Sequence, residues 1–167
     1  MARRVIMIDD DGMLCNMVQY AKKLESGGFA VGSRIHQEYV SLSEGIFTDI
    51  DDFLDYVDYL FSPNDYEAQS EREEICAFII DLKMPPGDRL VKNFPDLKLA
   101  NNPALTGVAL MNYLYDHFTN EVMSNSIHFF ILSLFEGQAT GEIPCQFLSK
   151  DADCTLNCET IRRALGH

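Results

Sequence analysis

Positive charge is scarce in this 167-residue sequence: 13 lysines and arginines stand against 26 aspartates and glutamates, a formal net charge of −13. A surface of that sign repels phosphate backbones and anionic lipid, so neither nucleic acid nor a membrane is expected as a partner. Small cations and basic protein surfaces remain open. Long apolar runs are also missing. Residues 75–80 and 129–132 are apolar but far too short to span a bilayer. The basic-then-apolar opening of the chain is cut off by Asp9, Asp10 and Asp11, before it reaches the length of a secretory signal. The cytoplasm is therefore the expected location. The five cysteines are an odd number, and Cys154 and Cys158 find no second Cys/His pair to close a tetrahedral zinc site. Free thiols in a reducing compartment are expected. Internal repeats and low-complexity tracts are absent.

What the sequence does contain is ordinary for a globular domain: 47% hydrophobic and 23% charged residues. A single domain of this length buries roughly 70% of its unfolded surface, enough for a core without metal or disulfide staples. Residues 5–8 form an unbroken apolar run that stops at acids, as in a strand buried on both faces. Leu14, Met17, Val18, Ala21 and Leu24 follow at helical spacing, and Gly27-Gly28 ends that helix. Residues 29–35 read as a second strand. Ile50, Phe53, Leu54, Val57 and Leu60 make the apolar face of a second helix. Opposite it lie Asp49, Asp52 and Asp55, with parts of Asp51 and Asp58, read as a solvated surface. Residues 62–74, polar and opened by Pro63, read as a loop.

Residues 75–80 form a third strand that ends on Asp81. Four prolines within 85–105 argue against a helix there, and the segment reads as an irregular insertion. Thr106 is placed to cap a helix carrying Val108, Leu110, Met111, Leu114 and Phe118 on its apolar side. Residues 127–132 give a fourth strand and 145–148 a fifth, joined by a short glycine-bearing connection. Residues 155–165 close the chain as a helix.

This alternation implies an α/β fold, a doubly wound five-stranded parallel sheet with right-handed crossovers. Ligands in such sheets lie beyond the carboxyl ends of the strands. Those ends carry Asp9 and Asp10, Asp81, Ser133 and, after the fifth strand, Lys150. Two carboxylates about 4 Å apart repel by about 4 kcal/mol at an effective dielectric near 20. Their convergence requires protonation or a divalent cation, and oxygen ligands with room for water suit Mg2+. A cation there lets one carboxylate attack a phosphoryl group. Ser133 can hydrogen-bond the phosphoryl oxygens and Lys150 can ion-pair with them. The set fits the formation of an aspartyl phosphate.

The same residues resemble the receiver domain of two-component response regulators. Residues 4–11 (RVIMIDDD) are similar to that family's first strand and acidic pair, and residues 78–85 (FIIDLKMP) to its phosphoacceptor strand. Residues 130–133 (FILS) are similar to the strand ending in the switch hydroxyl, residues 147–150 (FLSK) to the strand with the switch aromatic and lysine, and Gly107 with Leu110 and Leu114 to the start of the third helix. The resemblance implies a flavodoxin-like sheet with strand order 2-1-3-4-5 and Asp81 as the phosphorylated residue. It implies Mg2+ held by Asp10, Asp81 and the main-chain carbonyl of Lys83, with Asp9 acting partly through water. It also implies that Ser133 and Phe147 switch on phosphorylation, and that a histidine kinase or phosphotransfer protein donates the phosphoryl group.

Three features depart from the pattern. Asp151 replaces the usual proline, residues 85–105 are inserted as a lid or docking arm, and only 17 positions separate Ser133 from Lys150. The fourth helix is therefore expected to be shortened or absent. Residues 1–167 are read as one receiver without an output domain, a signalling protein rather than an enzyme. It would act through an unknown protein target, with a homodimer left open. Two other readings compete. Asp9-Asp10-Asp11-Gly12 also fits the opening of haloacid-dehalogenase-type phosphatases, with Asp9 as nucleophile and Asp11 as general acid/base. A receiver-shaped interaction module that is never phosphorylated is the other.

Overall fold

Strand β1 (Arg3–Ile8) has its last five residues buried, because its two faces are claimed by two different cores. Ile6 and Ile8 point into one, Val5 and Met7 into the other. The computed structural model describes residues 3–10, 15–35, 46–133, 145–149 and 154–166. Within them β1 is followed by helix α1 (Cys15–Ser26), β2 (Phe29–Val31), β3 (Ile46–Phe47) and α2 (Ile50–Leu60). Next come α3 (Tyr66–Glu74), β4 (Ile75–Asp81), α4 (Gly87–Asn93), α5 (Thr106–Ser124), β5 (His128–Ser133), β6 (Gln146–Ser149) and α6 (Cys154–Ala164). All pairings are parallel, in the order β2-β1-β4-β5-β6, with β3 also on β1. This is the expected doubly wound sheet with its expected strand order. Residues 134–144, where a shortened or absent fourth helix was expected, lie outside the described residues.

One core joins α2 and α5 to the sheet, with Phe53 and Tyr56 of α2 and Leu110 and Leu114 of α5 set against Phe47, Phe78 and Phe129 of the strands. The other joins Ala21 and Leu24 of α1 and Ile161 of α6 to Val5, Met7, Ile79 and Phe130. Burying each such side chain contributes about 1.5–3 kcal/mol, so a continuous apolar strand between two helical layers is the stable solution.

Four expectations need correction. The second strand is not continuous over 29–35. It stops at Val31, because Gly32 turns the chain away at φ +86°. The rest of that edge is completed by Ile46–Phe47, which pairs with Met7 and Ile8 while β2 pairs with Arg3 to Val5.

Residues 62–74 are not all loop. Asp65 caps α3 by accepting from the N–H of Ala68 at 2.9 Å. The buried face of that helix is Ala68 and Glu71, which carries no apolar period to read. The Glu71 carboxylate, fully buried, accepts from Tyr56 Oη at 2.6 Å, Ser33 Oγ at 2.8 Å and the Arg34 N–H at 2.6 Å. Arg4 lies 3.9 Å from it and 3.1 Å from Glu74. A buried charge is tolerated only with this degree of hydrogen bonding.

The insertion also contains a helix, α4, stabilised from outside itself. Asp51 of α2 accepts from the N–H groups of Asp88 at 2.9 Å and Arg89 at 3.2 Å, filling the place of an N-cap. Gly87 makes this approach feasible: its φ is +70°, and a Cβ there would sit 3.0 Å from the Asp51 carboxylate. Arg89 then reaches Asp55 at 3.1 Å, Asp58 at 2.8 Å and the Tyr113 hydroxyl at 3.0 Å. Partial burial disfavours the guanidinium charge, but the hydrogen bonds to Tyr113 and Asp58 outweigh it and raise the arginine's pKa. Asp51, Asp55 and Asp58 therefore form a docking stripe for the insertion, although Asp55 and Asp58 stay more than half exposed to solvent as expected. Leu90 and Leu99, both fully buried, anchor the segment.

Finally, Thr106 is the first residue of α5 and makes no capping hydrogen bond; Leu105 occupies the cap position. The remaining strand and helix boundaries of β5, β6 and α6 fall within one residue of expectation. No helix among the described residues is long and apolar enough to cross a membrane.

Two predictions follow from these contacts. Arg89→Ala should speed amide exchange across residues 87–93, measured by mass spectrometry, and lower stability by about 1 kcal/mol, the scale of a partly exposed ion-pair network. Tyr56 is pushed well above its ordinary pKa by burial and then by the Glu71 charge. The folded state therefore keeps the phenol neutral while the unfolded chain ionises it near pH 10. Stability from this group is complete below about pH 10 and declines as pH rises through the higher folded value. Tyr56→Phe should cost about 1–3 kcal/mol near neutrality by removing a donor from buried Glu71. In urea melts its alkaline decline should be shallower than that of the wild type.

Candidate functional site

The carboxyl ends of β1 and β4 are aligned by register. Ile8 pairs with Ile80, so Asp9 and Asp81 occupy the same row. Neighbouring pairs extend the row, since Asp81 is level with Leu132 and Leu132 with Leu148. Asp10, Leu82, Ser133 and Ser149 form the next row at this edge.

Asp9 and Asp81 are almost completely buried, at 1% and 3% exposure, while Asp10 is exposed. The main chain fixes the two buried acids. Asp9 N–H donates to the Phe47 carbonyl at 2.9 Å, and Leu82 N–H donates to the Leu132 carbonyl at 3.0 Å. Their carboxylates and that of Asp10 each offer an oxygen, and these oxygens lie within 4.8 Å of one another. Three carboxylates so close repel strongly unless a cation or proton intervenes. The donor set is hard oxygen throughout, and ligands around a small octahedral cation stand about 3–4 Å apart. The cluster fits such a cation, with Asp10 on the water-facing side.

The fold thus brings Asp9, Asp10 and Asp81, all three singled out in the sequence, to one place. Ser133 ends β5 and pairs with Ser149, and Phe147 in β6 pairs with Ile131. The backbone puts both positions at or near the same edge, while their side chains lie outside the described residues. Lys150, Asp151 and Asp11 lie outside them altogether. Lys83 follows Asp81 by two positions with an exposed side chain. Sequence reasoning missed the carbonyl of Phe47 behind Asp9. Its signal was faint: Ile46-Phe47 is too short to stand out as a strand.

No protein-family model matches the sequence, and no curated protein matches it either. Solved structures do match. A chemotaxis response regulator, CheY4 of Vibrio cholerae, superposes with a TM-score of 0.55 at 13% identity, covering 98% of each chain. The chain has the receiver fold. A response regulator from Colwellia psychrerythraea gives a TM-score of 0.51 at 15% identity, covering 99% of this chain and 98% of its own. In this receiver fold the three clustered acids occupy the carboxyl edge of the first and central strands, where doubly wound sheets place their ligands.

Because the acids repel one another, Asp10→Asn should raise the melting temperature in chelator-treated buffer. The same substitution should weaken binding of a divalent cation, probed with magnesium by calorimetry, by at least about tenfold.

Proposed function

We propose that the protein is a response-regulator receiver that accepts a phosphoryl group on Asp81 and signals by protein–protein contact. The observation that carries this reading is the meeting of Asp9, Asp10 and Asp81 at the ligand edge of a receiver fold. Mg2+ is the cation that the set would take, held by Asp10, Asp81 and the main-chain carbonyl of Lys83, with Asp9 acting partly through water. When bound it neutralises charge on the carboxylates and on the incoming phosphoryl oxygens.

The chain's own residues supply the rest. An Asp81 carboxylate oxygen attacks phosphorus. The new O–P bond forms as the P–N bond of a donor phosphohistidine breaks, and the imidazole nitrogen leaves with the electron pair. Lys150 pairs with the transferred group and Ser133 hydrogen-bonds one of its oxygens. Their positions after β6 and at the end of β5 support these roles. Phe147, one strand over, would repack when Ser133 moves, converting a local charge into a changed surface. A histidine kinase or phosphotransfer protein is the proposed donor, and an enzyme's turnover is not part of this reading. A cytoplasmic location belongs to it as well.

Acetyl phosphate with Mg2+ should phosphorylate the wild type, while Asp81→Asn and the chelated wild type should stay unlabelled on phosphate-affinity gels. Labelling of Asp9 in place of Asp81, mapped by peptide mass spectrometry, would favour the phosphatase reading. A folded protein that binds neither Mg2+ nor beryllofluoride would leave only the interaction module.

A further inference from the structure

The insertion leaves β4 at Leu82 and comes back to the same point. The N–H of Gly107, in the first turn of α5, donates to the Leu82 carbonyl at 2.9 Å, while the Leu82 N–H is held by Leu132 of β5. Gly107 is buried. A Cβ at this position would land on the carbonyl oxygen of Asp81, with the Leu82 Cα at 2.8 Å and the Asp81 carbonyl carbon at 3.1 Å. All of these are main-chain atoms, so no rotamer change makes room. Either α5 or the end of β4 must move.

Backbone conformation does not explain the glycine. Its φ is not among the positive values, and glycine is a poor residue inside a helix. Close approach is the remaining reason. The adjoining Thr106 is also fully buried, and its hydroxyl has no hydrogen-bond partner among the described residues. The first turn of α5 is therefore seated on the strand end at a cost in polar satisfaction.

We propose that Gly107 is a positioning residue for phosphoryl transfer. Lacking a side chain, it lets α5 rest directly on the main chain of Asp81 and fixes where that carboxylate stands relative to Asp9 and Asp10. The inference rests on Asp81 being the phosphoacceptor. Displacing the Asp81 carbonyl moves the carboxylate on the same residue, and misplacement by about 1 Å can cost on the order of a hundredfold in rate.

The test compares Gly107→Ala with Leu114→Ala, a fully buried position two turns along the same helix. Both are assayed for the maximal rate of acetyl phosphate labelling at saturating Mg2+, at a temperature where circular dichroism shows each folded. Gly107→Ala should lose at least about tenfold in that maximal rate, while Leu114→Ala, though less heat-stable, should label at nearly the wild-type rate. Wild-type labelling by folded Gly107→Ala, or an equal loss in both variants, overturns the proposal. Should Gly107→Ala not fold, the Gly107 amide resonance of the wild type decides. It should shift when Mg2+ and beryllofluoride bind, and an unmoved signal overturns the proposal. A wild type that binds no beryllofluoride instead overturns the phosphoacceptor reading, and this inference with it.

Discussion

The register between β1 and β4 is the constraint on which the rest depends. Hydrogen bonding in parallel strands fixes Ile8 opposite Ile80, and this alone sets Asp9 beside Asp81 at the mouth of the sheet. Slipping one strand by a single residue would turn its apolar side chains to the wrong faces, and both strands are buried on both faces. The apolar cores thus hold two carboxylates together that would otherwise separate. Folding energy, spread over many aliphatic and aromatic contacts, sustains a local repulsion that a cation bound there would relieve.

A second theme is that acidic residues here serve as structure as often as chemistry. Asp49 and Asp65 cap helices through their side chains. Asp51 caps a helix in a different part of the chain, and Glu71 ties the turn after β2 to α2 and α3. The charge of −13 is therefore less a uniform acidic coat than the composition implies. Asp52, beside Asp49, Asp51 and Asp55, shows the residual strain: partial burial and these neighbours raise its pKa.

The sheet and the acidic cluster at its edge were legible in the sequence because both rest on short-range signals. Apolar runs ending in acids give strands buried on both faces, and the order of those runs gives the row of acids. What stayed hidden depends on contacts that no local pattern records. Helix α3 buries a glutamate in place of an apolar stripe. Helix α4 lies among prolines and is stabilised by an aspartate 37 residues earlier. The acidic face of α2 was visible, but the partner of Asp55 and Asp58, Arg89, was not. The role of Gly107 is of the same kind, since only the folded chain shows what stands against its missing side chain.

The divided outer edge of the sheet bears on self-association. A long, flat, unpaired strand invites a neighbouring molecule to add to it and propagate. Beyond β1, the described residues offer only two stubs, three and two residues long, with a glycine turn ending the first. An incoming strand would run out of regular donors and acceptors after a few bonds. Among the described residues, a border so interrupted gives an incoming strand little to extend on the β1 side of the sheet.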